Sequence, residues 1–460
     1  MVASLRARFQ LGVGMLIVVG AVIAAMTAGA SNAAAGSAAP PIATAAAATA
    51  APPGGFIVDF AKYADGASHG SANPKLAPVK IGWASVDNGG SVQSIGPEAT
   101  PAAETAVKWL NKYADGIDGH PIVLDECIIL NAEEEGLACA QKFLNDKAVD
   151  VIAYGALTTG GTTIDNAVNG KKPIIAEFML NASDLATKNL YALFGGANFA
   201  QYPIGEFAKE YLHAKTASLV YPNEASLTLQ VTSSKLALKE AGISSKLVDF
   251  NPTSTDLVGA YTAAGVQTAG AVYVFATTPG NCLSSAQALT SLKVNPNIVS
   301  WQPQCNQPTI RTQYPGGDYP HYWQSIAQSG DAFANDPTGL QFKKNLGAFA
   351  QSTNYQDDWY SAVWGQILTI AQFMNKVGYK NLSTQSIINQ AKAFRGPLLL
   401  GGPDIQCGRY KFAPGSCSDG NYFFHYVGNN QYVRSRWIEE PAALKKLLES
   451  LKPGATFPTS

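Results

Sequence analysis

The chain is 460 residues long and nearly neutral, with 32 basic against 33 acidic residues and a formal net charge of −1. That length exceeds one ordinary hydrophobic core, so two domains plus tails are expected. The charge balance gives no electrostatic case for nucleic acid or an anionic membrane. Charged residues make up only 14% of the chain, below the roughly 25% usual for globular domains, a habit common in exported proteins.

Arg6 and Arg8 precede an apolar run over 11–26, and small residues follow at Ala28-Gly29-Ala30 and Ser31-Asn32-Ala33. This is the layout of a secretory signal peptide, assigned to 1–30, with cleavage expected after Ala30 or Ala33. An uncleaved membrane anchor is the competing reading, since the run approaches spanning length. Its Gly and Ala content and its small-residue site favour cleavage. No Cys precedes Cys127, so a lipid-anchored variant of the signal is excluded. The later apolar stretch 362–374 is too short to span a bilayer and is interrupted by Gln366 and Gln372. Residues 31–77 read as an Ala/Pro-rich linker and N-terminal extension. The tract up to Pro53 is too poor in bulky apolar side chains to fold. From 54 to 77, Phe56, Ile57, Val58 and Phe60 either pack onto the body or frame a linker.

The folded body opens with a strand at 79–83, after which strands and helices alternate. Residues 97–113 read as an amphipathic helix, Ala103, Val107, Leu110 and then Ala114 repeating at helical spacing. A strand at 122–128 and a helix at 134–146 follow. Residues 149–166, VDVIAYGALTTGGTTIDN, read as a buried strand, a Gly-bearing turn rich in threonine, and the start of a helix. Such a strand-to-helix turn puts N–H groups and hydroxyls at the mouth of a cleft, where open α/β sheets bind ligands. Strands at 173–176 and 191–195 complete a first round. A second round places helices at 203–213, 227–241, 256–264 and 281–292, with strands at 217–221, 246–250, 271–275 and 298–301. An irregular Pro/Gly-rich connection spans 303–337, then helices lie at 338–351, 357–377 and 384–393, and a β-like, Gly-rich stretch runs from 396 to 434. The alternation predicts an α/β fold with mostly parallel sheets in two lobes, the chain crossing between them more than once.

Six cysteines, Cys127, Cys139, Cys282, Cys305, Cys407 and Cys417, suit disulfides in an exported chain. Of the 15 possible connectivities, pairing of sequence neighbours is preferred, giving loops 127–139, 282–305 and 407–417. A metal site is not expected, because no CxxC occurs and the five histidines are scattered. The first strand leads into SVDNGGSV rather than GxGxxG, and neither a GxSxG elbow nor a GxxxxGK[ST] loop is present. No catalytic residue and no cofactor are assigned; the expectation is a binding protein, not an enzyme.

Several landmarks carry a family resemblance: Val79-Lys80-Ile81-Gly82, Leu124-Asp125-Glu126-Cys127, Cys139-Ala140-Gln141-Lys142, Gly155-Ala156-Leu157-Thr158-Thr159, and Asn198-Phe199-Ala200-Gln201-Tyr202-Pro203. With Trp359-Tyr360-Ser361-Ala362-Val363 and Gly396-Pro397, their order resembles the type I periplasmic solute-binding proteins over roughly 78–435. The resemblance is in particular to the branched-chain-amino-acid (leucine/isoleucine/valine)-binding group of ABC transporter receptors. It implies two Rossmann-like lobes joined by a three-crossover hinge near 196–200, 328–335 and 418–422. Lobe 1 is then 78–197 with 333–418, lobe 2 is 198–332 with 419–440, and 441–460 is a C-terminal tail. The implied function is an extracytoplasmic receptor, expected to be monomeric and periplasmic or associated with the cell envelope. It would close on a small-molecule ligand (an amino acid, an amide or a small aromatic compound) and deliver it to the permease subunits of an ABC transporter. A sensor signalling through a membrane receptor is the alternative, and an exported α/β enzyme a further one.

Residue by residue, the resemblance puts the ligand's carboxylate on Thr158 and Thr159, one of which is expected to cap the following helix instead. Asn181 follows the fourth strand as a ligand contact or a turn residue. Asp87 and Asn88 sit in the first loop with the same two readings. Glu177 is the carboxylate at a strand end in lobe 1, a candidate partner for an ammonium or hydroxyl. Lobe 2 departs from the family, with Pro222-Asn223-Glu224-Ala225-Ser226 after its first strand and no carboxylate in Trp301-Gln302-Pro303-Gln304-Cys305. Trp301, Gln302 and Tyr202 instead suggest a flatter, less charged ligand, with core or hinge packing as the alternative for the aromatics.

Overall fold

The structure, a computed structural model, describes residues 52, 54–66, 70–87, 98–130, 132–157, 159–179, 182–196, 199–224, 227–294, 297–300, 303–306, 308–315, 317–326, 336–347, 358–429, 431–456 and 458. Two sheets organise it.

The first sheet holds β1 (Val79–Val86), β2 (Ile122–Ile129), β3 (Val149–Tyr154), β4 (Ile174–Ala176) and β5 (Leu190–Ala192), in the order β2-β1-β3-β4-β5. Every pairing is parallel, which is why β3 and β4 read as continuous apolar runs. The chain enters with α1 (Phe60–Tyr63), and α2 (Ala99–Tyr113), α3 (Glu133–Asn145) and α4 (Gly161–Val168) connect the strands. Lys172, nearly buried at the entry to β4, donates through Nζ to Phe143 O at 2.6 Å and Asp146 O at 2.7 Å, closing the end of α3.

The second round gives α5 (Ile204–Glu210), β6 (Thr216–Pro222), α6 (Thr228–Glu240), β7 (Ser244–Phe250), α7 (Val258–Ala264), β8 (Ala271–Val274), α8 (Pro279–Ser291), β9 (Ile298–Ser300), α9 (Pro308–Arg311) and β10 (Trp323–Ile326). Thr278 caps α8, its hydroxyl accepting the Asn281 N–H at 3.1 Å with Pro279 next in line. The chain returns through α10 (Pro337–Gly347), α11 (Asp358–Val377) and α12 (Thr384–Ala393). It then adds β11 (Gly420–Tyr426), β12 (Tyr432–Arg434), β13 (Ile438–Glu439) and α13 (Ala442–Ser450). The second sheet runs β12-β11-β10-β9-β8-β6-β7, parallel from β10 to β7, with β11 antiparallel to β10 and β12, and β13 against the start of β11.

One face of the first sheet, with Ile81, Trp83, Val151 and Ala153, is covered by α2 and α11. Trp364 on α11 is fully buried, 5.8 Å from the Trp109 ring and edge-on to Phe342 at 5.6 Å. The apolar length of α11 is thus spent on the sheet. Among the described residues no helix is long and apolar enough to cross a membrane.

Of the two readings open for the N-terminal extension, packing onto the body holds. Phe60, Ala61, Tyr63 and Ala64 are buried. The Tyr63 hydroxyl lies 2.8 Å from Thr369 Oγ1 and accepts the Leu399 N–H at 3.1 Å, and Asn375 Nδ2 donates to Ala64 O at 2.9 Å. The segment assigned to a tail opens with α13, whose Leu444 and Leu448 are fully buried. The three disulfides pair Cys127 with Cys139, Cys282 with Cys305 and Cys407 with Cys417, the neighbour pairing expected from sequence.

Where the chain passes from α12 to β11, Arg409 pairs with the buried Asp419, and Lys445 of α13 reaches the same carboxylate at 3.1 Å. The Tyr410 hydroxyl donates to Glu440, whose carboxyl burial pushes up to about 7. On β11, His425 stacks on Trp323 with ring centres 4.5 Å apart. Burial first, and His321 second, push its pKa down to about 4 from 6.5. Below pH 6.5 the unfolded chain takes up a proton that the folded chain refuses until about pH 4. Stability from this group is therefore whole above pH 6.5 and falls as pH drops toward 4, by about 3 kcal/mol. Glu440 works in the opposite sense, losing stability as pH rises from 4.5 toward 7. Urea unfolding across pH 4–7 is expected to show H425F gaining stability relative to the parent as pH falls from 6.5 toward 4; a pH-independent difference would refute the assignment.

Candidate functional site at the carboxyl ends of the sheets

Register places Ala84, Tyr154, Ala176 and Ala192 in one row across the first sheet. The residues just beyond that row form its carboxyl rim, the side on which open α/β sheets bind ligands. Asp87, half-buried, follows β1 and donates its N–H to Ile129 O at 2.9 Å. Gly155 follows β3 because nothing larger fits: an added Cβ would stand 2.5 Å from Ser85 Oγ and 2.6 Å from Trp83 Cζ2. Gly155 N–H donates to Ala84 O at 2.8 Å and Val86 N–H to Ala156 O at 3.0 Å, so the two turns hold each other.

Thr159 comes next, half-buried, and Gly160 then caps α4 in the left-handed conformation with φ +78°. The cap expected from a threonine is therefore a glycine, and no side chain caps this helix. The reason is close packing as well as φ: a Cβ on Gly160 would lie 2.6 Å from Ile129 Cδ1 and 3.2 Å from Gly136 Cα of α3. The hydroxyl of Thr163 is spent inside the fold, donating to Glu133 O at 2.6 Å and Gly160 O at 2.8 Å.

Behind this turn lies a buried polar chain. Tyr154 OH donates to Asp165 Oδ1 at 2.9 Å, and Ser183 Oγ donates to Asp165 Oδ2 at 2.7 Å. Burial, then the Asp165 charge, hold the Tyr154 phenol well above its ordinary range, so it stays a donor. Gln366 of α11, fully buried, donates through Nε2 to Tyr154 O at 2.8 Å and Ile175 O at 2.7 Å. The glutamine that interrupts the apolar pattern of α11 thereby ties the helix to the ends of β3 and β4. Glu177, the next residue past β4, is fully buried, and its carbonyl accepts the Phe194 N–H at 3.0 Å.

The second sheet has a matching rim. Val220, Val274, Ser300 and Gln324 share one row. Just beyond β6, Asn223 donates through Nδ2 to Asp249 Oδ2 at 2.9 Å. Glu224 follows, half-buried, and its Oε1 accepts the Thr277 hydroxyl at 2.8 Å. Thr277 stands beyond β8 within 3.0 Å of Asn281 Oδ1, and Asn281 Nδ2 donates to Pro252 O at 2.9 Å. A carboxylate is thus fixed at the rim of the second sheet.

Among the sequence-predicted site residues, Asp87, Thr159 and Glu177 fall on the rim of the first sheet. Thr158, Asn88, Asn181, Trp301 and Gln302 lie outside the described residues. Tyr202 is fully buried, edge-on to Phe199 at 5.5 Å, and burial raises its phenol pKa. It is core between the sheets, the packing alternative rather than the ligand one. Tyr314, Tyr319 and Tyr322 likewise form a buried edge-to-face ladder with ring centres 5.4 Å apart at each step. Sequence reasoning passed over Glu224, Thr277 and Asn281; the available signal was a polar residue two or three positions past each of two predicted strands, Asn223 and Glu224 after 217–221 and Thr277 after 271–275. Among the described residues no group of three His, Cys, Asp or Glu side chains is placed to hold a metal ion.

A family model described as periplasmic binding protein matches residues 78–411. The chain belongs to the periplasmic binding protein family. Solved structures share the fold of this periplasmic binding protein at low identity. A branched chain amino acid ABC transporter periplasmic ligand-binding protein from Burkholderia xenovorans aligns with a TM-score of 0.61 and 16% identity, covering 81% of this chain and 100% of that one. A fatty acid ABC transporter substrate-binding protein from Thermomonospora curvata gives 0.60 and 14%, covering 88% and 99%. An ABC transporter solute-binding protein from R. palustris, in complex with benzoate, gives 0.59 and 13%, covering 79% and 97%. Among curated proteins none matches significantly. The two α/β sheets, mostly parallel, are those of the type I periplasmic binding protein fold.

Proposed function

We propose that the chain is an exported solute-binding receptor that closes on a small organic solute and presents it to an ABC-type permease, without chemical turnover. Its lobes would be 78–197 with 333–418 and 198–332 with 419–440, the N-terminal extension joining the first and α13 the second. One observation carries the reading: each sheet of this family member ends in a polar rim, Asp87 and Thr159 on one, Glu224 and Thr277 on the other. A ligand gripped by both rims favours the closed form by the contacts that only closure supplies.

The neighbours' names include a branched-chain amino acid, a fatty acid and benzoate, each of which carries a carboxylate. In this chain Thr159, with Thr158 and the N–H groups opening α4, would take such a group. Glu224 answers the missing carboxylate of 301–305, because an ammonium closed into a cleft without an anion is costly. Asn181, Asp87, Asn88, Trp301 and Gln302 complete the proposed contacts, and the ligand class remains amino acid, amide or small aromatic compound.

Thermal unfolding of the purified protein against those three classes tests the reading. A ligand at 100 times its Kd stabilises by about 2.7 kcal/mol. If the solute is an α-amino acid, E224A is expected to weaken it at least tenfold, since an unpaired buried charge costs well over 1.4 kcal/mol. Binding of a plain aromatic acid is expected to survive E224A. Turnover of a screened compound, or no shift from any class, would sink the proposal.

A further inference from the structure

The near-neutral total charge hides an uneven distribution. The N-terminal segment Phe56–Ala61 runs as a ridge between two grooves on the first lobe. One, of about 690 Å³, is lined by Lys62, Lys376 of α11 and Arg395 just past α12; the other, of about 530 Å³, is lined by Lys344 of α10. Both share Val58 and Asp59 with the ridge. Asp59 is their one carboxylate, and it accepts the Lys62 N–H at 3.0 Å. Among the described residues, Lys62, Lys344, Lys376 and Arg395 make no ion pair.

The same face leaves large apolar side chains in water. Val58 is 50% exposed and Leu340 52%, two of the most exposed large apolar side chains of the described residues. Leu340 lies one turn before Lys344 on α10, hence on the same face of that helix. Cations flanking isolated protruding apolar side chains are the chemistry of a surface that sits at a lipid headgroup layer. A purely soluble basic patch has no use for an exposed Val58 between its two grooves or an exposed Leu340 one turn from Lys344. The position of the ridge agrees: about 50 residues of chain precede it and lead into the fold at this point.

We propose that this face of the first lobe, the ridge Phe56–Ala61 and its flanking grooves, rests on an anionic lipid surface. Val58 and Leu340 enter the headgroup layer, and Lys62, Lys344, Lys376 and Arg395 meet lipid phosphates. The face is built from α1, α10, α11 and α12, so the carboxyl rims of both sheets take no part in the contact.

A label placed on the ridge tests this independently of any membrane insertion by residues 11–26. In the full chain, V58C carrying an environment-sensitive fluorophore is mixed with phosphatidylcholine vesicles containing phosphatidylglycerol, or with pure phosphatidylcholine. The expected result is a blue shift on the anionic vesicles alone, reversed at 1 M salt, where the screening length is about 3 Å. Each cation is worth about fivefold, so adding K62E/K376E/R395E is expected to raise the lipid needed for half-response by more than tenfold. The charge-preserving K62R/K376R/R395K is expected to respond like the parent. A label at L130C, at the far end of β2, is expected to stay silent. No shift at position 58, equal shifts on both vesicles, or an unchanged response in the charge-reversed variant would overturn the proposal.

Discussion

Asp336→Ala is expected to cost about 3–5 kcal/mol of unfolding free energy. Its carboxylate has no solvent exposure and lies 2.9 Å from Arg434 Nη1, whose side chain is 5% exposed. Asp336 stands where the chain arrives from the second sheet to begin α10, and its Oδ1 also accepts the Gly339 N–H at 2.9 Å, capping that helix. Arg434 belongs to β12, its guanidinium 4.5 Å above the Tyr422 ring. The pair therefore joins the end of a crossing to the edge of the opposite sheet. Arginine cannot neutralise itself by losing a proton, so removal of Asp336 strands a buried positive charge. Urea titration is the measurement: the midpoint is expected to fall with little change in slope. Replacing both partners, D336L with R434M, is expected to recover most of the loss, because the attraction in such pairs is largely offset by desolvation. A cost under 1 kcal/mol for D336A would mean that water reaches the guanidinium and that the pair does not hold the crossing.

Much of this architecture was legible because local signals agreed with the fold. The strands expected at 246–250 and 298–301 meet β7 and β9, and the helix expected at 281–292 meets α8. The neighbour pairing of cysteines was correct because each loop closes between adjacent elements, Cys127 on β2 to Cys139 on α3 and Cys282 on α8 to Cys305 just past β9. Failures fell where the signal is non-local. β10 has four residues inside a Pro- and Gly-rich stretch, and it is a strand only because β9 and β11 flank it. The extension 54–66 carries no periodicity; it is ordered by bonds to Thr338, Thr369 and Leu399, which lie over 280 residues away in sequence. α13 did carry a pattern, Leu444 and Leu448 at i and i+4, but its partner α6 lies far upstream.

The site was less legible than the fold for a physical reason. A strand end marks where a ligand is offered contacts, whereas the identity of each contact depends on turn conformation. The α4 cap shows this: threonine hydroxyls next to a helix start suggest capping, yet the required approach of α3 selects Gly160. Tyr202 shows the converse. An aromatic beside an expected crossing suits a ligand wall by sequence, but Tyr202 packs edge-on to Phe199 in a core cluster that holds residues of both sheets. Glu224 was passed over because the family pattern puts a carboxylate after a later strand, and only 301–305 was read for one. The second sheet instead holds one after β6, fixed by Thr277.

Gln366→Leu is expected to cost about 2–5 kcal/mol, and to loosen the rim of the first sheet more than the rest of the fold. Leucine keeps the volume of the buried side chain but strands two carbonyls, Tyr154 O and Ile175 O, now held at 2.8 and 2.7 Å by one amide group. Each stranded acceptor carries a penalty of about 1–3 kcal/mol. Gln366→Glu should be no better, since a buried carboxylate facing two carbonyl oxygens can donate only once protonated. The two carbonyls end β3 and precede Ala176 on β4, so the loss falls directly beneath Gly155, Thr159 and Glu177. Hydrogen exchange resolves the point: amides of 149–157 and 174–177 should lose more protection than those of β6 and β8. Uniform loss across both sheets would make Gln366 a global stabiliser with no special hold on the site. A local loss, accompanied by weaker solute binding at unchanged Glu224, would establish that the glutamine interrupting α11 is there to set the carboxyl ends of two strands.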